Sequence, residues 1–272
     1  GMGFIADWHW QGFQDNPDAD IVGMAHEIFG DAQQKESDRQ ILDQRCEELG
    51  IRAYDSVDAL ISDPDISAVV IGSVTPYHYS HITAALDAGK HAMVEKPMVT
   101  DLEQIDELER RSKGAKLTLF PAHNFVYRES VRKAKALIDE GRIGKLIHSS
   151  FIITHTISEN HATGWRAKRE IAKGGALIDS GHHLIYQTLY LLGRPDRIHG
   201  FASKMVLTNM DCEDTAQVSL SYPDGSIAVV MQSWSSNHGD DVNGIRIIGT
   251  EGSIVITDAL YLNGERLENH VD

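Results

Sequence analysis

Apolar positions follow two successive rhythms along this chain. Up to about residue 122, short β-branched runs alternate with helix-length amphipathic stretches. Beyond it, longer alternating runs follow one another with one long helical segment among them. In the first part, Gly3 and Pro17 bracket a helix over 4–16, and an apolar run at 19–25 has strand length. Ile41, Leu42, Cys46 and Leu49 recur at helical spacing within 31–49, and Gly50 closes that helix. A short strand over 52–54 and a short helix over 57–61 precede Pro64. The stretch 66–74 (ISAVVIGSV) is β-branched throughout, as a parallel strand buried on both faces requires. A helix over 77–88 ending at Gly89, a strand over 91–95, a helix over 101–113 and a strand over 117–122 complete the alternation. Thr100 is the expected N-cap of the helix over 101–113, with Glu103 at capping-box spacing. Strands alternating with helices predict βαβ units and an open parallel sheet.

The second part predicts a helix over 129–140 ending at Gly141 and one long helix over 174–192. Strands are expected over 145–157, 198–207, 213–222, 226–235 and 244–257. Tyr222-Pro223-Asp224-Gly225-Ser226 reads as a hairpin turn. The expectation is therefore an α/β Rossmann domain over 1–122, followed by an α+β domain over 123–272 with a large, mostly antiparallel open sheet. A chain of 272 residues is long enough for both.

Charge and cysteine content narrow the function. A net charge of −15 with no Lys/Arg cluster excludes a duplex-binding face and disfavours anionic lipid. No apolar run reaches membrane-spanning length, and no basic stretch precedes an apolar one as in a signal peptide. The two cysteines, Cys46 and Cys212, are far apart and form no CxxC pair, which points to a reducing cytoplasm.

The first six residues, Gly1-Met2-Gly3-Phe4-Ile5-Ala6, match G-x-G-x-x-A at the opening of a helix. Glycines permit close backbone approach, and the free N–H groups of the first turn meet a pyrophosphate. The acidic residue expected about 20 positions on is Glu27, which would accept from a ribose diol and favours NAD. The adjacent His26 could instead stand beside a phosphate, as in NADP. NAD is the favoured of the two.

Several segments together resemble the Gfo/Idh/MocA oxidoreductase family. AALDAGKHAMVEKPMVTD carries Glu95-Lys96-Pro97, and Pro121-Ala122-His123-Asn124-Phe125 is similar to the family's GHN-type strand end. Gly141-Arg142-Ile143-Gly144-Lys145 resembles its turn into the second domain, and GGALIDSGHHLIY over 174–186 resembles its later helix, preceded by Trp165-Arg166. The resemblance implies Lys96, Asp179 and His183 as the active site. It also implies a loop over the cofactor at Ser73, Thr75 and His78, cofactor contacts from Glu95, Trp165 and Arg166, and a sheet that mediates homo-oligomer contacts, in a dimer or tetramer. By the same resemblance, a first strand and a final helix lie outside the sequence. Tyr186 stands where an acidic residue is common three positions after the active-site His, and Val126 where Arg is common.

The chemistry of these residues suits oxidation of a secondary alcohol on a sugar, inositol or related polyol, or the reverse reduction. His183, titrating near neutrality, can take the hydroxyl proton. Asp179, four positions earlier on one expected helix, would fix the hydroxyl or tune His183, with His182 in support. Lys96, at the C-terminal end of a parallel strand, can hydrogen-bond the reacting oxygen. Asn124, Tyr127, His155, Asn160 and His161 are candidate partners for substrate hydroxyls. His78 with His81, or His182 and His183 with Asp179, are the conceivable metal ligands among 14 histidines, but no HExxH spacing occurs and no catalytic metal is expected. A cofactor-binding sensor without turnover, or an enzyme shuttling hydride between two sugars on a tightly held cofactor, are the competing readings of the same fold.

Overall fold

The first part alternates short parallel strands with helices, but the expectation of a strand buried on both faces is corrected: in the strand Ala68–Ile71 only Val69 and Ile71 are buried against the helices, while Ala68 and Val70 on the other face are exposed. The computed structural model describes residues 2–27, 31–158, 162–236 and 241–267. The chain divides into two compact units, Gly1–Ala122 and His123–Asp272.

In the first unit the elements run α1 (Phe4–Gln14), β1 (Gly23–Met24), α2 (Ala32–Leu49), β2 (Arg52–Ala53), α3 (Val57–Ser62), β3 (Ala68–Ile71), α4 (His78–Asp87), β4 (His91–Val94), α5 (Leu102–Ala115) and β5 (Leu119–Pro121). All strand pairings are parallel, but they fall into two sheets, β1-β2 and β3-β4-β5. Ile61, Val69, Ile71, Ile82, Leu86, Val94 and Leu108 form the core between strands and helices. Asp31 caps α2 by accepting from Gln34 N, and Gly50 closes it. The expected cap of α5 is corrected. Asp101, not Thr100, takes the extended N-cap conformation, and its carboxylate accepts from Glu103 N at 2.9 Å. A carboxylate also suits the positive end of the helix dipole.

The second unit contains α6 (Glu129–Asp139), β6 (Leu146–Thr154), α7 (Arg169–Ala172), α8 (Ala176–Asp179), α9 (His182–Leu192), β7 (Arg197–Ser203), β8 (Thr215–Ser221), β9 (Ile227–Ser233), β10 (Gly244–Gly249), β11 (Ser253–Ile256), β12 (Leu260–Leu262) and β13 (Glu265–Arg266). The strands form one eight-stranded sheet in the order β13-β12-β11-β10-β6-β9-β8-β7. Every neighbouring pair is antiparallel except the central β6-β9, which is parallel. Helices α6 and α9 cover one face, burying Val131, Leu137, Leu184 and Leu191 with Phe151, Val230, Ile247 and Ile254.

Two expectations for this unit are corrected. The single strand over 244–257 is a hairpin, β10 and β11, because Thr250-Glu251-Gly252 turns the chain. The single helix over 174–192 is two helices, α8 and α9, broken at Ser180-Gly181. There Gly181 N reaches back five residues to Ala176 O, and a Cβ at Gly181 would stand 2.7 Å from Leu177 O. Among the described residues, no helix is long and apolar enough to cross a membrane.

Candidate functional site

The candidate residues of the first unit gather where the strands end. Helix α1 opens at Gly3, and no atom lies within 4 Å of where a Cβ on Gly3 would stand. A Cβ on Gly72, just past β3, would lie 3.4 Å from Ile5 Cγ2, so the first turn of α1 sits beside the end of β3. Its middle reaches the end of β4, where His9 Nε2 lies 2.9 Å from Glu95 Oε1. Glu95 Oε2 also accepts from Lys96 N at 3.2 Å, which fixes the backbone from which the half-buried Lys96 side chain departs. Phe4 is exposed, and Gly1 lies outside the described residues.

Two histidines of α4 organise the loop after β3. His78, fully buried, places its ring nitrogens 2.9 Å from Ser73 O and 2.9 Å from Pro97 O. Burial holds its pKa below the usual imidazole value, against the pull of those carbonyls. It thereby ties the loop that carries Ser73 and Thr75 to the turn that carries Lys96. His81 stands between Ser73 Oγ, 3.1 Å from its Nδ1, and Glu27 Oε1, 3.2 Å from its Nε2. Glu27 is thus half of a carboxylate–imidazole pair. The half-buried His26 has its pKa lowered, burial being the main cause.

In the second unit, Gly175 is forced by a close approach. A Cβ there would collide with Glu213 O and Cys212 Cβ, and the Glu213 carboxylate accepts from Gly175 N at 2.9 Å and Leu177 N at 3.2 Å. That anchorage sets the start of α8 and so the position of Asp179. Trp234, buried, donates from Nε1 to Ser180 Oγ at 2.8 Å and fixes the break that follows. Asp179 Oδ2 accepts from Arg166 Nε at 3.2 Å, and the guanidinium carbon lies 4.5 Å from the Trp165 ring centre.

His183 lies in the first turn of the second helical segment rather than continuing the first, so the expected unbroken helix shared with Asp179 is not formed. Its ring stacks on Phe125, centres 4.2 Å apart and planes at 18°, and its Nδ1 lies 2.6 Å from Tyr186 Oη. The same hydroxyl accepts from Phe125 N at 3.1 Å and donates to Asn124 Oδ1 at 3.2 Å. His123 stacks on Tyr186 at 4.5 Å, and its Nε2 is 3.1 Å from that of His182. Burial lowers the pKa of both His123 and His155. Tyr127 is exposed, with the Arg132 guanidinium 5.3 Å from its ring centre. Asn160 and His161 lie outside the described residues.

Among the described residues, no group of three or more His, Cys, Asp or Glu is placed to hold a metal ion. Sequence reasoning missed His9, named His123 only as part of a motif, and treated His81 only as a conceivable metal ligand and Tyr186 only as a departure. The available signal was helical spacing: His81 follows His78 by three positions, and Tyr186 follows His183 by three.

Comparison with known proteins agrees with this two-part arrangement. Residues 1–123 match the model of an oxidoreductase family with an NAD-binding Rossmann fold, and residues 131–255 match the GFO/IDH/MocA C-terminal domain. The myo-inositol 2-dehydrogenase of Thermotoga maritima is 28% identical over 214 residues, 76% of this chain and 62% of that protein. The 1,5-anhydro-D-fructose reductase of Ensifer adhaerens is 27% identical over 206 residues, 75% of this chain and 61% of that one. Among solved structures, a levoglucosan dehydrogenase in complex with NADH and levoglucosan shares the fold. Its TM-score is 0.83 at 24% identity, over 98% of this chain and 76% of that one. The chain spans about three fifths of the length of the two curated relatives. With its nucleotide-binding part and its sheet part matched in order to the two parts of one family, the chain belongs to the Gfo/Idh/MocA oxidoreductases.

Proposed function

We propose that this chain binds a nicotinamide dinucleotide, NAD in preference to NADP, and oxidises a secondary alcohol of a sugar, inositol or related polyol, or reduces the corresponding ketone. The observation that carries the reading is the open first turn of α1 at Gly3 beside the strand ends bearing Ser73 and Glu95-Lys96. The residues fit such a cofactor. Gly3 leaves open space where a Cβ would stand at the start of α1, as close approach of a pyrophosphate requires, and Glu27 offers a carboxylate to a ribose diol. A carboxylate repels a 2′-phosphate, so Glu27 favours NAD.

The bound nicotinamide supplies the hydride acceptor, or the donor in the reverse direction. Lys96 hydrogen-bonds the reacting oxygen and offsets its developing negative charge. His183 takes the hydroxyl proton as general base. Asp179, held by Arg166, fixes the substrate hydroxyl, and Asn124 and Tyr127 bind neighbouring ones. Gly3, Phe4 and Ile5, with Gly1, Ser73, Thr75, His78 and Glu95, serve the cofactor, as do Trp165 and Arg166.

The same reading includes a homodimer or homotetramer. Every residue of the sheet-edge strand β7 is exposed, among them Ile198 and Phe201 at 69% and 71%, an apolar surface suited to a second copy. It also includes a reducing cytoplasm, in keeping with two buried free thiols.

A spectrophotometric screen of sugars, inositols and polyols with NAD and NADP in parallel tests the function. Reduced cofactor should appear with a subset of polyols and faster with NAD. Calorimetric titration showing no binding of either cofactor would overturn the reading.

A further inference from the structure

Two histidines one turn apart on α4 hold Ser73 by its backbone and by its side chain. His78 faces the Ser73 carbonyl oxygen at 2.9 Å, and His81 faces its hydroxyl at 3.1 Å. His81 carries the constraint onward, for its Nε2 lies 3.2 Å from Glu27 Oε1. The imidazole has little room to move. It is 9% exposed, and its ring lies against that of Tyr77, centres 5.9 Å apart and planes at 21°. Glu27 differs in kind. It stands just past β1, and its long side chain is 37% exposed. An ionised carboxylate can only accept, so the hydrogen between the two belongs to His81 Nε2. At a pH where the ring is neutral, Nδ1 is an acceptor, and the Ser73 hydroxyl donates to it. Both bonds then run one way, from the serine through the imidazole to the carboxylate.

We propose that His81 is the positioning residue for Glu27, holding its carboxylate ready for the adenosine ribose and so sharpening the choice of NAD over NADP. This rests on the reading of Glu27 as the ribose acceptor given above. A loose glutamate side chain loses rotamer freedom when it engages a ligand, and a carboxylate fixed beforehand has already lost it. Fixing it also acts on the wrong cofactor. A mobile carboxylate swings away from a 2′-phosphate, whereas a tethered one keeps its negative charge where that phosphate would stand. A carboxylate has lone pairs on both oxygens, so the bond from His81 leaves it able to accept from a diol.

Calorimetric titration of the full chain with NAD and with NADP, at about pH 8 and so above the imidazole range, tests this without turnover. His81→Leu fills the buried space but offers no donor; His81→Met serves the same purpose if that variant does not fold. NAD should bind it about 3- to 10-fold more weakly, the scale of one side chain left to be ordered by the ligand. NADP should bind as well as to wild type or better, so the preference for NAD narrows. His81→Gln, whose amide N–H can donate from the place of Nε2, should recover most of the loss. In a Glu27→Ser background, His81→Leu should weaken NAD no further, because the histidine acts through the carboxylate. An unchanged NAD affinity in folded His81→Leu, an equal loss for both cofactors, or an undiminished further loss in the Glu27→Ser background would overturn the proposal. The equal loss would mark the pair as a structural tie alone. NAD binding Glu27→Ser as tightly as wild type would sink the ribose reading itself, and this proposal with it. A Glu27→Ser that loses NAD affinity beside a His81→Leu that does not would sink this proposal only.

Discussion

Arg166 donates from Nε to Asp179 Oδ2 across 3.2 Å, with the two side chains 32% and 21% exposed. The pair is sheltered enough for its loss to matter. Arg166→Ala leaves a half-buried carboxylate without this partner and should lower kcat/KM about 10- to 100-fold, the equivalent of about 1–3 kcal/mol. Arg166→Lys restores the charge but not the planar fork, and should recover only part of it. Steady-state kinetics on variants shown by circular dichroism to be folded would check both.

Lys96→Ala and His183→Ala should each lower kcat at least about 100-fold, the usual scale of general acid–base and oxyanion contributions. NAD affinity of His183→Ala, measured by calorimetry, should stay within a few fold of wild type. Turnover within a few fold of wild type in either variant would refute the roles given to these residues.

Glu27→Ser removes the carboxylate assigned to the ribose diol. A hydrogen bond to a charged group contributes about 1.5–3 kcal/mol, so NAD affinity should fall about 10- to 100-fold. NADP affinity should rise relative to NAD, because a negative charge facing the 2′-phosphate has gone. Parallel titrations with the two cofactors give the ratio.

Lys90 is only 6% exposed, and its ammonium donates to Asp63 O and Ile66 O, each at 2.6 Å. It ties the segment between α3 and β3 to the start of β4. Lys90→Met leaves two carbonyls without that donor, at about 1–3 kcal/mol each. Urea unfolding should show a loss of about 2–4 kcal/mol in the transition of the first unit.

Acid should destabilise the chain in two windows. The pKa of His78 is lowered in the folded state, mainly by burial, so the native structure resists protonation there. Its contribution is complete above the unfolded value of about 6.5 and declines as pH falls from there toward the folded value. Burial opposes the charge of Asp214. The N–H groups of Val206, Leu207 and Met205 and the Thr215 hydroxyl outweigh that and hold its pKa below the usual carboxylate range. Its contribution is present above about pH 3.9 and is lost as pH falls through the folded value. Unfolding free energies measured across a pH series should show both declines, with His78→Asn flattening the upper and Asp214→Asn the lower.

Local chemistry made much of this architecture readable. The β-branched run around Ala68–Ile71, the glycine after α2 and the Pro-Asp-Gly turn before β9 each act within a few residues, and each element formed. Failures arose where distant contacts decide. The break between α8 and α9 depends on Trp234 reaching Ser180 and on Glu213 anchoring Gly175, neither visible in the spacing of Asp179 and His183. Thr250-Glu251-Gly252 interrupts an apolar alternation that alone reads as one strand. For the site, spacing after the glycine motif named Glu27 and the family resemblance named Lys96, Asp179 and His183, but their pairing with His81, Arg166 and Tyr186 required coordinates.

The parallel pairing of β6 with β9 has a consequence for biosynthesis. Their register, His148 against Ile227 through Thr154 against Ser233, encloses residues 155–226 in one crossover, and Asp179 and His183 lie inside it. A nascent chain that has emerged only as far as β8 carries these side chains but lacks the strand that joins its two sheet halves. Closing so long a loop before any of its contacts repay the lost entropy is slow. The second unit should therefore acquire its chemistry abruptly, only after β9 has emerged, and ribosome-stalled chains ending before Ile227 should remain protease-sensitive through α9.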